Sequence, residues 1–102
     1  MTVKYSFNND SLNLFLCGEL DECSASKTRD IIDKLISLNN NVNNVIFNLS
    51  DLVFMDSTGI GMMIGRYKKI KARGAKAFLT KPSTQIKKIL DISGLYQIMP
   101  LI

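Results

Sequence analysis

The sequence predicts an α/β domain. One mostly parallel mixed sheet of about five strands carries three helices, in the order β-β-α-β-α-β-α-β. Three observations lead there. The chain opens with two strand-like runs joined by a polar turn. An almost unbroken apolar run, Val45 to Leu49, lies near its middle. Helical apolar stripes then alternate with short extended runs. Strands alternating with helices require crossover connections, and hence parallel pairing, while the opening hairpin adds an antiparallel edge.

The first run, Val3-Lys4-Tyr5-Ser6-Phe7, alternates apolar and polar residues as a half-exposed strand does. Asn8-Asn9-Asp10-Ser11 reads as a turn, and Leu12 to Gly18 as the second strand of a hairpin. Ser24 or Ser26 could cap the first helix, whose stripe is Ile31, Ile32, Leu35, Ile36 and Leu38. The asparagine-rich stretch 39–44 is a loop. Val45 to Leu49 suits a central strand covered on both faces. The second helix follows Ser57, with Ile60, Met63, Ile64, Tyr67 and Ile70 on its apolar face. Gly74 fits the position that ends it. Gly61 and Gly65 cost it roughly 1 kcal/mol each relative to alanine, so close packing on the sheet is expected of them. Ala75 to Thr80 is a short strand. Pro82 stands near the start of a third helix, buried through Ile86, Ile89, Leu90 and Ile92. Ser93-Gly94 ends it, and Tyr96 to Leu101 reads as a last extended segment.

The 102 residues suffice for one domain, 1–102, with one core. The 46% hydrophobic and 22% charged content is that of an ordinary globular protein. Nothing near the start resembles a signal peptide, and no apolar run is long enough to span a bilayer, so a cytoplasmic protein without a membrane partner is expected. Cys17 and Cys23 fit no common metal spacing, and the chain has no histidine. Reduced thiols are expected, with Cys17 in a packing role. No metal or cofactor is implied. The missing histidine also removes the usual general base, so no catalytic residue is assigned and an enzyme is not expected.

Charge is unevenly spread. Residues 1–56 carry four basic and eight acidic residues, and residues 57–102 carry nine basic and one acidic. Arg66, Lys68, Lys69, Lys71 and Arg73 raise the question of nucleic acid. Their helical spacing and sparse aromatic neighbours favour a solvated helix face, with no direct nucleic-acid partner.

The stretch Phe54-Met55-Asp56-Ser57-Thr58-Gly59-Ile60-Gly61 is the most informative. It places a serine where a strand gives way to a helix, beside unpaired N–H groups and the positive end of the helix dipole. A phosphate can be accommodated there. With no machinery of its own to move one, the chain presents Ser57 as a residue that another protein modifies, although a simple helix cap explains it locally as well. The run Gly59 to Gly65 matches neither a dinucleotide turn nor a P-loop, and a small nucleotide-binding protein is the weaker alternative. Asp56-Ser57-Thr58-Gly59 lacks the second loop that an aspartic protease needs. Glu19, Asp21 and Glu22 end a strand, and in a parallel sheet their loop would lie near that of Ser57. Met62, one turn beyond Thr58, is expected to face outward as part of a partner surface.

The motif Phe54 to Gly61, continued by Ile64-Gly65-Arg66-Tyr67-Lys68, resembles the signature of the STAS-domain anti-sigma factor antagonists. Gly18-Glu19-Leu20-Asp21 and Leu90-Asp91-Ile92-Ser93-Gly94-Leu95-Tyr96 resemble two further landmarks of that family, in family order. Gly65 to Lys68 and Ser93 to Tyr96 are similar in particular to its sporulation branch. The family usually continues past the last strand into a further short helix, whereas this sequence ends at Ile102. The resemblance implies a STAS-like domain that regulates transcription by binding an anti-sigma factor that is also a serine kinase, so freeing the sigma factor. It implies phosphorylation of Ser57 by that kinase, loss of binding, and recovery through a serine phosphatase. Asp21, Asp56, Thr58, Gly59, Gly61 and Met62 match positions that would face the partner. A STAS module of another system, such as general stress control, is the alternative within the family.

Overall fold

The computed structural model describes residues 1–39 and 41–102; Asn40, in the expected asparagine loop, lies outside them. Strands β1 (Thr2–Asn8) and β2 (Ser11–Leu20) form the antiparallel hairpin, in register from Thr2 opposite Cys17 to Asn8 opposite Ser11. Helix α1 (Ala25–Leu38) leads to β3 (Asn44–Asn48), which lies parallel to the first half of β2. Strand β4 (Leu52–Met55) then pairs in parallel with Gly18 to Leu20, the far end of β2, after a register shift. Helix α2 (Ser57–Ala72), strand β5 (Lys76–Thr80) alongside β3, and helices α3 (Thr84–Ser93) and α4 (Leu95–Ile98) complete the chain. The five strands make one mixed sheet, mostly parallel as expected. No helix among the described residues is long and apolar enough to cross a membrane.

The core lies between one face of the sheet and the helices. Leu12, Leu14 and Leu16 of β2, Val45 and Phe47 of β3, and Ala77 and Leu79 of β5 point into it. Strand β3 is therefore not covered on both faces. Its burial alternates, and Ile46 belongs to the half-buried opposite face, as Phe15 and Cys17 of β2 do. Cys17 is thus not a core residue, and both cysteines are free thiols.

Two element assignments differ from expectation. The apolar letters Leu52 to Met55 form a strand of their own, so β4 rather than β3 delivers the chain to Ser57. The segment expected as a last strand opens with a helical turn. Gly94, at φ 77°, ends α3 in a left-handed conformation that a residue with a side chain rarely adopts. The chain then re-enters a helix, and Leu95 and Met99 are both fully buried one turn apart. The chain turns extended at Met99, and Pro100 to Ile102 run beside Leu79 of β5. Ile92, assigned to the buried side of α3, is 88% exposed, so that stripe is Ile86 and Leu90 with Ile89 half-buried.

Helix α2 buries Gly59, Met62, Met63, Arg66 and Ile70, while Ile60, Ile64 and Tyr67 are only half-buried. The buried stripe is turned from the expected one because α2 packs on α1 as well as on the sheet. The glycine under steric constraint is Gly59, where a Cβ would stand 2.5 Å from the carbonyl oxygen of Leu20. Gly61 and Gly65, expected to be packed closely, have nothing outside their own helix, among the described residues, within 4 Å of the place a Cβ would take.

These contrasts give opposite expectations along one helix. Gly59→Ala lowers stability by about 1–3 kcal/mol through overpacking. Gly65→Ala raises it by about 0.5–1 kcal/mol through helix propensity. Urea unfolding of the two variants checks both signs, and equal effects would contradict the packing described.

Candidate functional site

The site is the junction where β4 turns into α2, held against the loop that leads from β2 into α1. Asp56 does most of the holding. As the cap of α2, its Oδ1 accepts a hydrogen bond from the Gly59 amide at 2.9 Å. Its Oδ2 accepts from the Glu22 amide at 3.1 Å, and its own amide donates to the Leu20 carbonyl at 3.2 Å. A single residue thus satisfies an otherwise open helix donor and ties two chain segments together. The bare Cα of Gly59 permits the approach, because the Leu20 carbonyl occupies the space of a side chain.

The second loop is shaped by Asp21. Its Oδ1 accepts from the amides of Cys23 and Ser24, both at 3.0 Å, and its carbonyl accepts from Ala25 at 2.8 Å. The expected serine cap of α1 is not found. Ser24 makes no side-chain cap bond; its hydroxyl accepts from the Asp21 amide at 3.1 Å and donates to the Glu19 carbonyl at 2.7 Å. The acidic loop and the serine motif are neighbours, as the topology suggested. Asp51, in contrast, lies beside Gly18 and Cys17.

Ser57 is the first residue of α2 and is exposed. Its hydroxyl makes no hydrogen bond among the described residues. Asp56 serves Gly59, and the Ile60 amide begins the helical ladder on the Asp56 carbonyl at 3.0 Å. The amides of Ser57 and Thr58 therefore remain facing outward at the positive end of the dipole. Val53 and Phe54, at 59% and 43% exposure, lead up to this point along β4.

The remaining candidates divide into two groups. Asp21, Asp56 and Gly59 belong to the junction itself. Thr58, Gly61 and Met62 line a cleft between α1 and α2 together with Arg29 and Arg66. Met62 is not the outward-facing residue expected: it is buried at 8% exposure, because α1 covers that side of α2. Arg66 is likewise not on a solvated face. It is 6% exposed, with Nε 2.8 Å from Oδ1 of Asp33 on α1. Burial lowers its pKa below the usual arginine range, Asp33 opposes that shift, and the positive charge of Arg29 adds to it. Sequence reasoning missed Arg29, Asp33 and Arg66 as a group. Thr58, Met62 and Arg66 recur every fourth residue, and so do Ala25, Arg29 and Asp33, which is the signal of two facing helix stripes.

The STAS domain model matches residues 3–102. The chain belongs to the STAS-domain family. It is 35% identical over 101 residues to an anti-sigma F factor antagonist of Paenibacillus polymyxa, covering 99% of this chain and 86% of that protein. Its fold is similar to the solved structure of the anti-sigma factor antagonist SpoIIAA in its unphosphorylated form. The TM-score is 0.80 at 28% identity, over 99% of this chain and 88% of the other. It is also similar to the Bacillus cell fate determinant SpoIIAA in the phosphorylated form, with a TM-score of 0.71 at 28% identity, over 99% and 91% of the two chains.

Asp56→Ala removes the cap and leaves the Glu22 amide without its acceptor. We expect a loss of about 1–2 kcal/mol, with faster hydrogen exchange at Glu22 and Gly59. Unchanged exchange at Glu22 would mean that Asp56 does not tie the two loops.

Proposed function

We propose that this STAS domain is a phospho-regulated anti-sigma factor antagonist. In its unphosphorylated form it binds an anti-sigma factor that is also a serine kinase, and so releases the sigma factor. The kinase transfers the γ-phosphoryl group of ATP to Oγ of Ser57, giving ADP and a proton, and binding ends. A serine phosphatase hydrolyses the ester and restores the active form. The chain acts as a regulated binding partner in the cytoplasm, not as an enzyme.

The observation that carries this reading is the exposed, unengaged Ser57 hydroxyl at the start of α2. An enzyme can reach it, and the helix start tolerates an anion within the domain. The kinship with an anti-sigma F factor antagonist, and with a SpoIIAA solved in phosphorylated and unphosphorylated forms, points the same way. Asp21, Asp56, Thr58, Gly59, Gly61 and Met62 are the residues proposed to form the contact. Asp56 and Gly59 do so by holding the junction, and Met62 from within the cleft wall. Gly61 adds a physical argument. An exposed glycine inside a helix costs about 1 kcal/mol, and nothing outside its own helix among the described residues lies within 4 Å of the place its Cβ would take. A partner backbone approaching closely would account for it.

The switch needs no refolding. Phosphoserine adds about −1.5 to −2 charges at neutral pH, next to Asp56 and near Asp21 and Glu22. The helix dipole offsets part of that charge in the free domain. A partner surface shaped for a neutral hydroxyl would have to bury it, and unmatched buried charge costs several kcal/mol.

Incubated with ATP and the cognate kinase, the wild-type chain gains one phosphate, mapped to Ser57, and Ser57→Ala gains none. Ser57→Asp weakens binding to the kinase by about 100-fold or more, equivalent to about 3 kcal/mol. Intact-mass spectrometry and calorimetry read the two outcomes. A phosphate taken up equally by Ser57→Ala would remove Ser57 from the mechanism. Gly61→Ala is expected to leave the fold intact and raise its melting temperature while weakening binding by about tenfold.

A further inference from the structure

The cleft between α1 and α2 has a volume of about 280 Å³, and its polar lining is all donor-bearing: Arg29 and Arg66, with the hydroxyls of Ser26 and Thr58. Among the described residues no carboxylate lines it. The guanidinium of Arg66 is the unusual group. Its side chain is only 7% exposed, and its Nε and Nη1 are both buried without a hydrogen-bond partner among the described residues, Nε meeting Asp33 as an ion pair. Buried donors of this kind are nearly always satisfied in folded proteins. The carboxylate paired with it, Asp33, is shared: Oδ1 stands 2.8 Å from Arg66 Nε, and Oδ2 accepts a hydrogen bond from Lys69 Nζ at 3.1 Å, while Asp30 acts on Arg66 from farther off. Arg29 is near enough for its charge to disfavour the charged form of Arg66. A concave site thus gathers positive charge that the chain itself leaves partly unmatched.

We propose that this cleft is an oxyanion-binding site, taking a phosphate or carboxylate group between the guanidinium groups of Arg66 and Arg29, with the hydroxyls of Ser26 and Thr58 completing the donor set. Arg66, held by burial and by Asp33, is the half with an unspent donor, which a small shift of its side chain would present to a bound oxygen. Arg29 is the adjustable half. Its ion pair with Asp30 is exposed on both sides, at 48% and 71%, and such pairs contribute little. The missing side chain of Gly61 keeps one wall open. The group has two possible sources, a free phosphate-bearing small molecule or an acidic side chain of a docked protein. The site stands independently of the role given to Ser57.

The test titrates the isotopically labelled full chain with inorganic phosphate and, separately, with acetate, at constant ionic strength against sodium chloride. Saturable shifts at the Arg66 Nε–Hε signal and at the Thr58 and Gly61 amides are expected. Arg29→Ala and Arg66→Lys should each raise the dissociation constant about tenfold. Arg29 is exposed, so its variant keeps the experiment readable even if Arg66→Lys lowers stability. Phosphate saturating well below acetate supports a phosphate-bearing small molecule, and similar weak binding of both supports a protein carboxylate. Shifts that stay linear and match those of chloride, or affinities unchanged in both variants, would overturn the proposal.

Discussion

The two oxygens of Asp56 hold this site together. One closes the first turn of α2, and the other grips the loop before α1. Those two helices have no covalent reason to start side by side, since they follow different strands. The carboxylate makes their first turns neighbours, and the empty side-chain position of Gly59 lets the Leu20 carbonyl come close. The exposed serine, the acidic loop and the arginine-lined cleft all lie around that contact. Each depends on the two helix starts being fixed relative to each other.

Much of this was legible in the residues because it rests on local rules. The hairpin followed from alternation around a polar turn. The parallel sheet followed from strands alternating with helices, and the exposed serine from its place at a helix start. What was not legible depended on distant partners. Four apolar letters, Leu52 to Met55, are too few to distinguish a strand from a core segment. They become a strand because β2 is long enough to offer them a free stretch at Gly18 to Leu20. Leu95 and Met99 carry a helical spacing over a single turn, which an apolar tail hides. In the site, Met62 and Arg66 fall on the solvent side of a helix that packs on the sheet alone. The packing of α1 across α2 buries them.

Helix α2 serves conflicting demands. An amphipathic helix built for stability would have apolar residues beneath and good helix formers above. Here a buried arginine occupies the seam with α1, and two unconstrained glycines occupy positions where alanine would fit. Both depart from local preference, and both lie along the face that continues from Thr58. Departures of this kind concentrate where a surface is shaped for another molecule. Stability is recovered elsewhere, in the fully buried leucines of β2 and in Phe47 beside them on β3.

The last three residues have a consequence of their own. The Leu79 amide donates to the Pro100 carbonyl at 2.9 Å, and the Ile102 amide donates to the Leu79 carbonyl at the same distance. The tail thereby occupies part of the outer rim of β5, where unpaired strand groups would otherwise be offered to any passing chain. Pairing of another chain on β5 is thereby discouraged, while β1, hydrogen-bonded only to β2 among the described residues, keeps its outer edge open.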